Sequence, residues 1–201
     1  PVVVFLYELM FFEEKFHKRL LNFAPLFLPM FIIPISILYS DQLTGDLVGN
    51  IGEATRVDTS IPRWDYFFTQ LSVITTYIGL IFFPINQNLD YDFPIYSTLL
   101  TPEVLLPFLL LISIIGLGIY TFSISRTHNK AYRFIAFGIF WFFITISVES
   151  SFIPIVDVIF EHRIYLPSVG LFIALTVGIY FLLNKIRERN YIRLEFQFLW
   201  S

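Results

Sequence analysis

Cysteine is absent from the 201 residues, and charged side chains are scarce. A chain without cysteine has no disulfides, no thiolate zinc site and no cysteine nucleophile. Asp, Glu, Lys and Arg together make up 14% of the residues, whereas soluble domains carry about 25%. Because so few charged side chains remain to cover a surface in water, the composition argues against a soluble globular domain.

A basic face for nucleic acid is also missing, since the formal net charge is −3 at pH 7 and a phosphate backbone requires positive charge. What the sequence has in abundance is apolar: 56% of the residues are hydrophobic, with 25 Phe and 11 Tyr. A disordered chain lacks such side chains. We therefore predict a polytopic membrane protein that contacts the lipid bilayer and no nucleic acid.

Uncharged apolar stretches of the length that a membrane helix needs, about 20 residues, recur along the chain. They are residues 20–40, 104–125, 134–148 (somewhat short) and 166–183. Residues 66–85 are apolar but contain several Thr and one Gln, so they either cross once or, as we favour, enter and leave on one side. Because backbone groups in lipid must be satisfied within their own segment, each stretch is expected to be helical. The predicted fold is all-α, a polytopic transmembrane helix bundle of four or five spans plus a partial first helix.

Basic residues form three groups, at residues 15–19, 126–133 and 185–193. Cytoplasmic loops carry an excess of Lys and Arg, and both paths for residues 66–85 put residues 149–165 on the non-cytoplasmic side. The chain begins at Pro1 inside an apolar run and stops without a polar tail. We therefore expect an internal fragment of a larger protein, with residues 1–193 as the transmembrane domain and residues 194–201 beginning a following region.

The densest group of polar residues lies just before the last apolar stretch. Its ionisable members are Glu149, Asp157, Glu161, His162 and Arg163. If residues 155–163 are helical, Asp157 and Glu161 lie at positions i and i+4, where two carboxylates repel unless a cation separates them. Arg163 suits a phosphate because its guanidinium donates two parallel hydrogen bonds, and His162 can donate a proton near neutral pH. An interfacial helix whose charges simply face water remains the alternative.

Two sets of acids are candidates for a divalent metal, because oxygen ligands suit Mg²⁺ or Mn²⁺. One set is Glu149, Asp157 and Glu161, although their spacing is not diagnostic. The other is Asp90 and Asp92, which flank one tyrosine and fall on the same side of an extended chain. Nucleotide-sugar enzymes hold a metal with such a pair, but a role in ordering a loop fits this short pattern equally well.

Three stretches of the sequence resemble one family. They are RWDYFFTQ at residues 63–70, VITTYIGLIFFPINQNLDYDFPI at 73–95, and ESSFIPIVDVIFEHRIYLPSVG at 149–170, which is the most specific. They are similar to the membrane half of bacterial tetratricopeptide-repeat (TPR) membrane proteins and of the eukaryotic transmembrane-and-TPR O-mannosyltransferases, which belong to the GT-C class of glycosyltransferases. The chain departs from that family at Val148, where Pro is usual, and in the missing apolar span before Arg189.

The resemblance implies a GT-C-like bundle in a bacterial inner membrane or an ER-like membrane, with its active site on the external face. It implies transfer of a sugar from a polyprenyl-phosphate donor to a protein or glycan acceptor. Arg163 and His162 would contact the lipid phosphate, and the external cavity wall would include Asp90, Asp92, Glu149, Asp157 and Glu161. The catalytic base of this class lies upstream of Pro1, so none is assigned. The alternatives are a non-catalytic scaffold that binds proteins through TPR repeats and, third, a transporter.

Overall fold

The computed structural model describes residues 2–12, 25–26, 28–32, 61–85, 88, 91–148, 150, 154 and 158–199, with only the backbone of 29–30 and 189–199. Regular structure in these residues is all helical, which confirms the predicted all-α class. The α-helices are α1 Val2–Phe11, α2 Arg63–Phe82, α3 Pro102–Ile124, α4 Tyr132–Ile146 and α5 Tyr165–Leu199. Short 3-10 helices occupy Leu28–Phe31 and Glu161–Ile164.

Among the described residues, two helices are long and apolar enough to cross a membrane, namely α3 and the stretch Glu161–Glu188, which contains most of α5. Only 22% and 17% of their most apolar 18 residues are buried, whereas the core helix of a soluble protein is mostly buried. α1 and α4 are apolar but shorter. The predicted spans at residues 104–125, 134–148 and 166–183 coincide with α3, α4 and part of α5. Residues 20–40 lie largely outside the described residues.

The ends of α3 and the start of α4 are defined by a proline and by local hydrogen bonds. α3 begins with Pro102, a position where the missing N–H costs nothing because helix starts leave that donor unpaired. Its last turn closes on Ser125, whose N–H donates to Thr121 O at 3.1 Å. The side-chain oxygen of Asn129 then accepts a hydrogen bond from Ala131 N at 2.8 Å, just ahead of α4.

α4 lies at the centre of the described helices, in contact with α1, α3 and α5. It is antiparallel to α5, because Trp141 Nε1 donates to Leu166 O at 2.9 Å near one end of the pair. Near the other end the rings of Tyr132 and Phe181 stack with centroids 4.5 Å apart. The basic residues before α4 and those late in α5 therefore share one end of the bundle, which we call the basic end. The 3-10 helix Glu161–Ile164 lies at the opposite end.

α2 and α3 run in the same direction, because Ser72 contacts the first turn of α3 whereas Phe82, at the end of α2, lines one cavity with Thr121 near the end of α3. The chain between the two helices therefore has to turn back. Ser72 Oγ, in the third turn of α2, donates to Glu103 O in the first turn of α3 at 2.5 Å. Tyr96 N donates to Thr69 Oγ1 at 2.9 Å, which places the connection beside the first half of α2. We call residues 83–101 the return segment; it leads from the end of α2 back towards the end at which α2 begins.

Candidate functional site

The polar side chains in the first half of α2 are buried. Thr69, Gln70 and Ser72 are 0%, 1% and 7% exposed, and Tyr66 and Tyr77 are fully buried. Such a polar face is unusual for an apolar helix, and its partners explain it. Thr69 and Ser72 bond the return segment and the start of α3, so the side chains of α2 satisfy backbone groups of neighbouring segments.

The side of α2 that carries Gln70 and Tyr77 holds the chain that precedes α5. Gln70 Nε2 donates to Val158 O at 2.9 Å, and Phe160 N donates to Tyr77 Oη at 2.7 Å. Residues 158–160 therefore lie along α2 without forming a helix themselves. Gln70 Oε1 is buried and has no hydrogen-bond partner among the described residues.

Glu161 joins the return segment to the turn before α5. Its Oε1 accepts a hydrogen bond of 2.5 Å from Tyr91 Oη and one of 2.9 Å from Asn88 N. Tyr91 Oη also accepts from Asn88 N at 3.2 Å. One carboxylate oxygen of Glu161 thus accepts from two donors of the return segment. The stretches of sequence that contain Asp92 and Arg163 come together here.

The pKa of Tyr91 is raised above its ordinary value of 10.0, first by the hydrogen bond to Glu161 and then by burial. The bond opposes deprotonation because a phenolate would lose the donated proton and would face a carboxylate. Tyr91 is therefore a neutral donor at physiological pH.

Arg163 is positioned by Phe160. Its guanidinium carbon lies 5.2 Å from the centroid of the Phe160 ring, a cation–π distance, and its backbone N donates to Phe160 O at 3.1 Å. The ring of His162 packs against the same phenylalanine at 5.1 Å. Arg163 is half-buried whereas His162 is exposed, so the imidazole faces the surroundings and the guanidinium is held against an aromatic ring.

The candidate residues predicted from the sequence fall into three groups. Glu161, His162 and Arg163 are consecutive in the 3-10 helix; the single helix considered for residues 155–163 is wrong, because Val158 to Phe160 are non-helical. Asp92 is exposed on the return segment, next to Tyr91. Asp90, Glu149 and Asp157 lie outside the described residues. Within the described part of the chain, no three His, Asp or Glu side chains form a group that could hold a metal ion.

The sequence assigned no role to three residues of the site: Tyr77, Asn88 and Tyr91. A signal existed for Tyr77, because it lies seven residues after Gln70 and so on the same helical face. No local signal pairs Tyr91 with Glu161, since 70 positions separate them. Asn88 takes part through its backbone N–H, which any residue except proline provides.

The arrangement combines a cation, an exposed imidazole and a hydroxyl–carboxylate pair at one end of the apolar helices. A guanidinium fixed against a ring is suited to bidentate binding of a phosphate. Glu161, with one oxygen engaged by two donors, is suited to holding the site together. Comparison with known proteins found no relative: no protein-family model, no curated protein and no solved structure matches this chain.

Proposed function

We propose that the protein is an integral membrane glycosyltransferase of the GT-C type, which transfers a sugar from a polyprenyl-phosphate donor to a protein or glycan acceptor. The observation that carries the proposal is the position of Arg163. It lies two residues before α5, in the stretch Glu161–Glu188 that has the length and composition to cross a membrane. With this stretch across a membrane, a guanidinium at its end would lie at the depth of a lipid phosphate.

The chemistry of sugar transfer fits the residues around Arg163. When the bond between the sugar and the phosphate breaks, negative charge develops on the leaving phosphate, and fixed donors lower that barrier. Arg163 would supply two parallel donors and His162 a third. Asp90, Asp92, Glu149 and Asp157 would form the acidic wall on the acceptor side, with or without a divalent metal.

We further propose that α2 and the return segment enter the membrane and leave it on the same side, the non-cytoplasmic one. Two observations support this path. α2 is parallel to α3, so the return segment travels back beside α2. Its non-helical backbone is hydrogen-bonded by protein side chains at Asn88 and Tyr96, which irregular backbone at membrane depth requires.

The test is a transfer assay with the full-length protein in proteoliposomes, supplied in turn with mannosyl, glucosyl and other sugar-labelled polyprenyl phosphates. We expect release of labelled sugar from one donor, to water or to an added acceptor. If none of the donors is turned over or bound, the protein is not a transferase. Retention of a protein partner by such an inactive protein would favour the scaffold alternative.

A further inference from the structure

A second site lies at the basic end of the bundle, opposite Arg163. A cavity of about 720 Å³ opens between the start of α4 and the later turns of α5. Its polar lining includes Asn129, Asn184, Lys185 and Glu188. Neither the proposed transferase chemistry nor the residues of the candidate site account for this cavity.

One wall of this cavity is aromatic. Tyr132 and Phe181 line it, and their rings are stacked at 4.5 Å with planes 10° apart. The side-chain oxygen of Asn129 is occupied by Ala131 N, which leaves its NH₂ group as a donor. Tyr is enriched at the level of the lipid headgroups, where apolar and polar surroundings meet. A polar rim beside an aromatic wall fits that level of the bilayer.

An apolar cavity of about 430 Å³ adjoins it and is lined by residues of α2, α3, α4 and α5. Ile135, Gly178 and Leu182 line both cavities. Along α5 the apolar cavity extends from Leu182 to Leu171, roughly 16 Å at the 1.5 Å rise per residue of a helix. One leaflet of the hydrocarbon core is about 15 Å thick, so the cavity has the length of a single phospholipid acyl chain.

The charges at this end favour an anionic headgroup. The described cationic residues here are Arg126, Lys130, Arg133, Lys185 and Arg187, while Glu188 is the acid that lines the cavity. Basic pockets between membrane helices on the cytoplasmic side bind anionic lipid headgroups.

We propose that the two cavities together bind one anionic glycerophospholipid from the leaflet at the basic end, its phosphate at Lys185 and Asn129 and one acyl chain in the apolar cavity. This site needs the chain to span a membrane but does not need it to transfer sugar. A polyprenyl donor is the less suitable occupant, because Arg163 lies at the opposite end and an isoprenoid chain is longer than this cavity.

The experiment uses the full-length protein in nanodiscs of phosphatidylcholine with a minor fraction of phosphatidylglycerol. After extraction into detergent, native mass spectrometry counts the lipids that each protein retains. We expect one phosphatidylglycerol per protein, enriched at least tenfold over its share of the nanodisc lipid. Retention of phosphatidylglycerol only in proportion to its share of the nanodisc lipid would overturn the proposal. Replacement of the retained phosphatidylglycerol by added polyprenyl phosphate would also overturn it.

Filling the cavity tests the acyl-chain half of the proposal. A Cβ at Gly178 would meet no atom within 4 Å, and Gly178 lines the apolar cavity. The side chain of Gly178→Leu is therefore expected to extend into the cavity and to abolish retention of the lipid. Gly116→Leu is the matched control, because Gly116 is a helical glycine with equally open space that lines neither cavity. Equal retention by the two variants would overturn the site.

The headgroup half depends on Lys185. Lys185→Gln is expected to lower the preference for phosphatidylglycerol roughly fivefold, the effect of one cation near an anionic lipid surface. Arg126→Gln is the control, since Arg126 lies at the same end but against the Phe122 ring and away from the lining. An equal loss of preference for phosphatidylglycerol in both variants would mean that the basic end attracts anionic lipid diffusely, and it would overturn a specific headgroup site.

Discussion

The hydroxyl of Tyr91 donates a hydrogen bond of 2.5 Å to Glu161 Oε1 and so ties the return segment to the turn that carries Arg163. The two residues are 70 positions apart, and Asn88 N donates to the same oxygen. Glu161 therefore acts on the site through geometry: it fixes where the return segment lies relative to Phe160 and Arg163.

Removal of the Tyr91 hydroxyl is expected to destabilise the protein. Tyr91→Phe leaves Glu161 with one donor fewer, and a hydrogen bond to a charged group contributes about 1.5–3 kcal/mol; since both residues are partly exposed, we expect about 1 kcal/mol from thermal unfolding in detergent. Tyr96→Phe is the control, because Tyr96 lies in the same segment but bonds Thr69 through its backbone N. Equal destabilisation by Tyr91→Phe and Tyr96→Phe would contradict a stabilising hydrogen bond from the Tyr91 hydroxyl.

The same pair predicts a dependence on alkaline pH. The hydrogen bond raises the pKa of Tyr91 above 10.0, so the folded protein holds this proton more tightly than the unfolded chain. The resulting stability is fully present below about pH 10 and is lost as the pH rises through the raised pKa. Thermal unfolding measured from about pH 8 to 11 should therefore show an alkaline loss that is smaller in Tyr91→Phe. A loss of the same size in that variant would mean that other groups cause it.

The contact between α4 and α5 depends on two glycines. A Cβ at Gly138 would overlap the carbonyl oxygen of Gly170 and lie 2.9 Å from Ala174 N, both backbone atoms that cannot rotate away. Gly138→Ala is therefore expected to lower the free energy of unfolding by about 1–3 kcal/mol or more. Gly178→Ala, with open space around its Cβ, should be neutral or stabilising because Ala is the better helix former. A stable Gly138→Ala protein would contradict this close packing.

The length of the apolar runs was enough to predict α3, α4 and the first part of α5, because a helix is the structure that satisfies its own backbone in lipid. No sequence pattern predicts the 3-10 helix Glu161–Ile164 or the hydrogen bond from Tyr91 to Glu161. Both depend on where Gln70 and Tyr77 hold residues 158–160, and such contacts between distant parts of the chain leave no periodic pattern. The polar residues of α2 are evident in the sequence, but which backbone groups they bond depends on how distant segments pack against α2.

The proposed path of the return segment can be tested with single cysteines, since the chain has none of its own. Arg63, at the start of α2, His162 and His128 are all exposed in the described structure. In sealed vesicles, a membrane-impermeant thiol reagent should label Arg63→Cys and His162→Cys from one side and His128→Cys only from the other. Labelling of Arg63→Cys from the same side as His128→Cys would mean that α2 crosses the membrane once.

Arg163 is expected to be the most sensitive residue for donor binding. Arg163→Lys keeps the positive charge but loses the planar fork that donates two parallel bonds. If the guanidinium binds the lipid phosphate, this variant should lose about 1.5–3 kcal/mol of affinity for a polyprenyl phosphate, roughly 10- to 150-fold, while its thermal unfolding stays close to that of the natural protein. Binding is measured by titrating the short-chain polyprenyl phosphate onto the protein in nanodiscs.

A matched control is available in Arg126, whose guanidinium also lies over a phenylalanine, at 5.4 Å from the Phe122 ring centroid, but at the basic end. Arg126→Lys makes the same chemical change beside the same kind of ring and should leave donor affinity unaltered. A purely structural Arg163 predicts a different pattern: Arg163→Lys binds the donor normally, and Arg163→Ala unfolds at lower temperature because its stacking on Phe160 is lost. Unchanged donor affinity in Arg163→Lys would therefore refute the phosphate assignment, whereas a selective loss relative to Arg126→Lys would place the donor phosphate at Arg163.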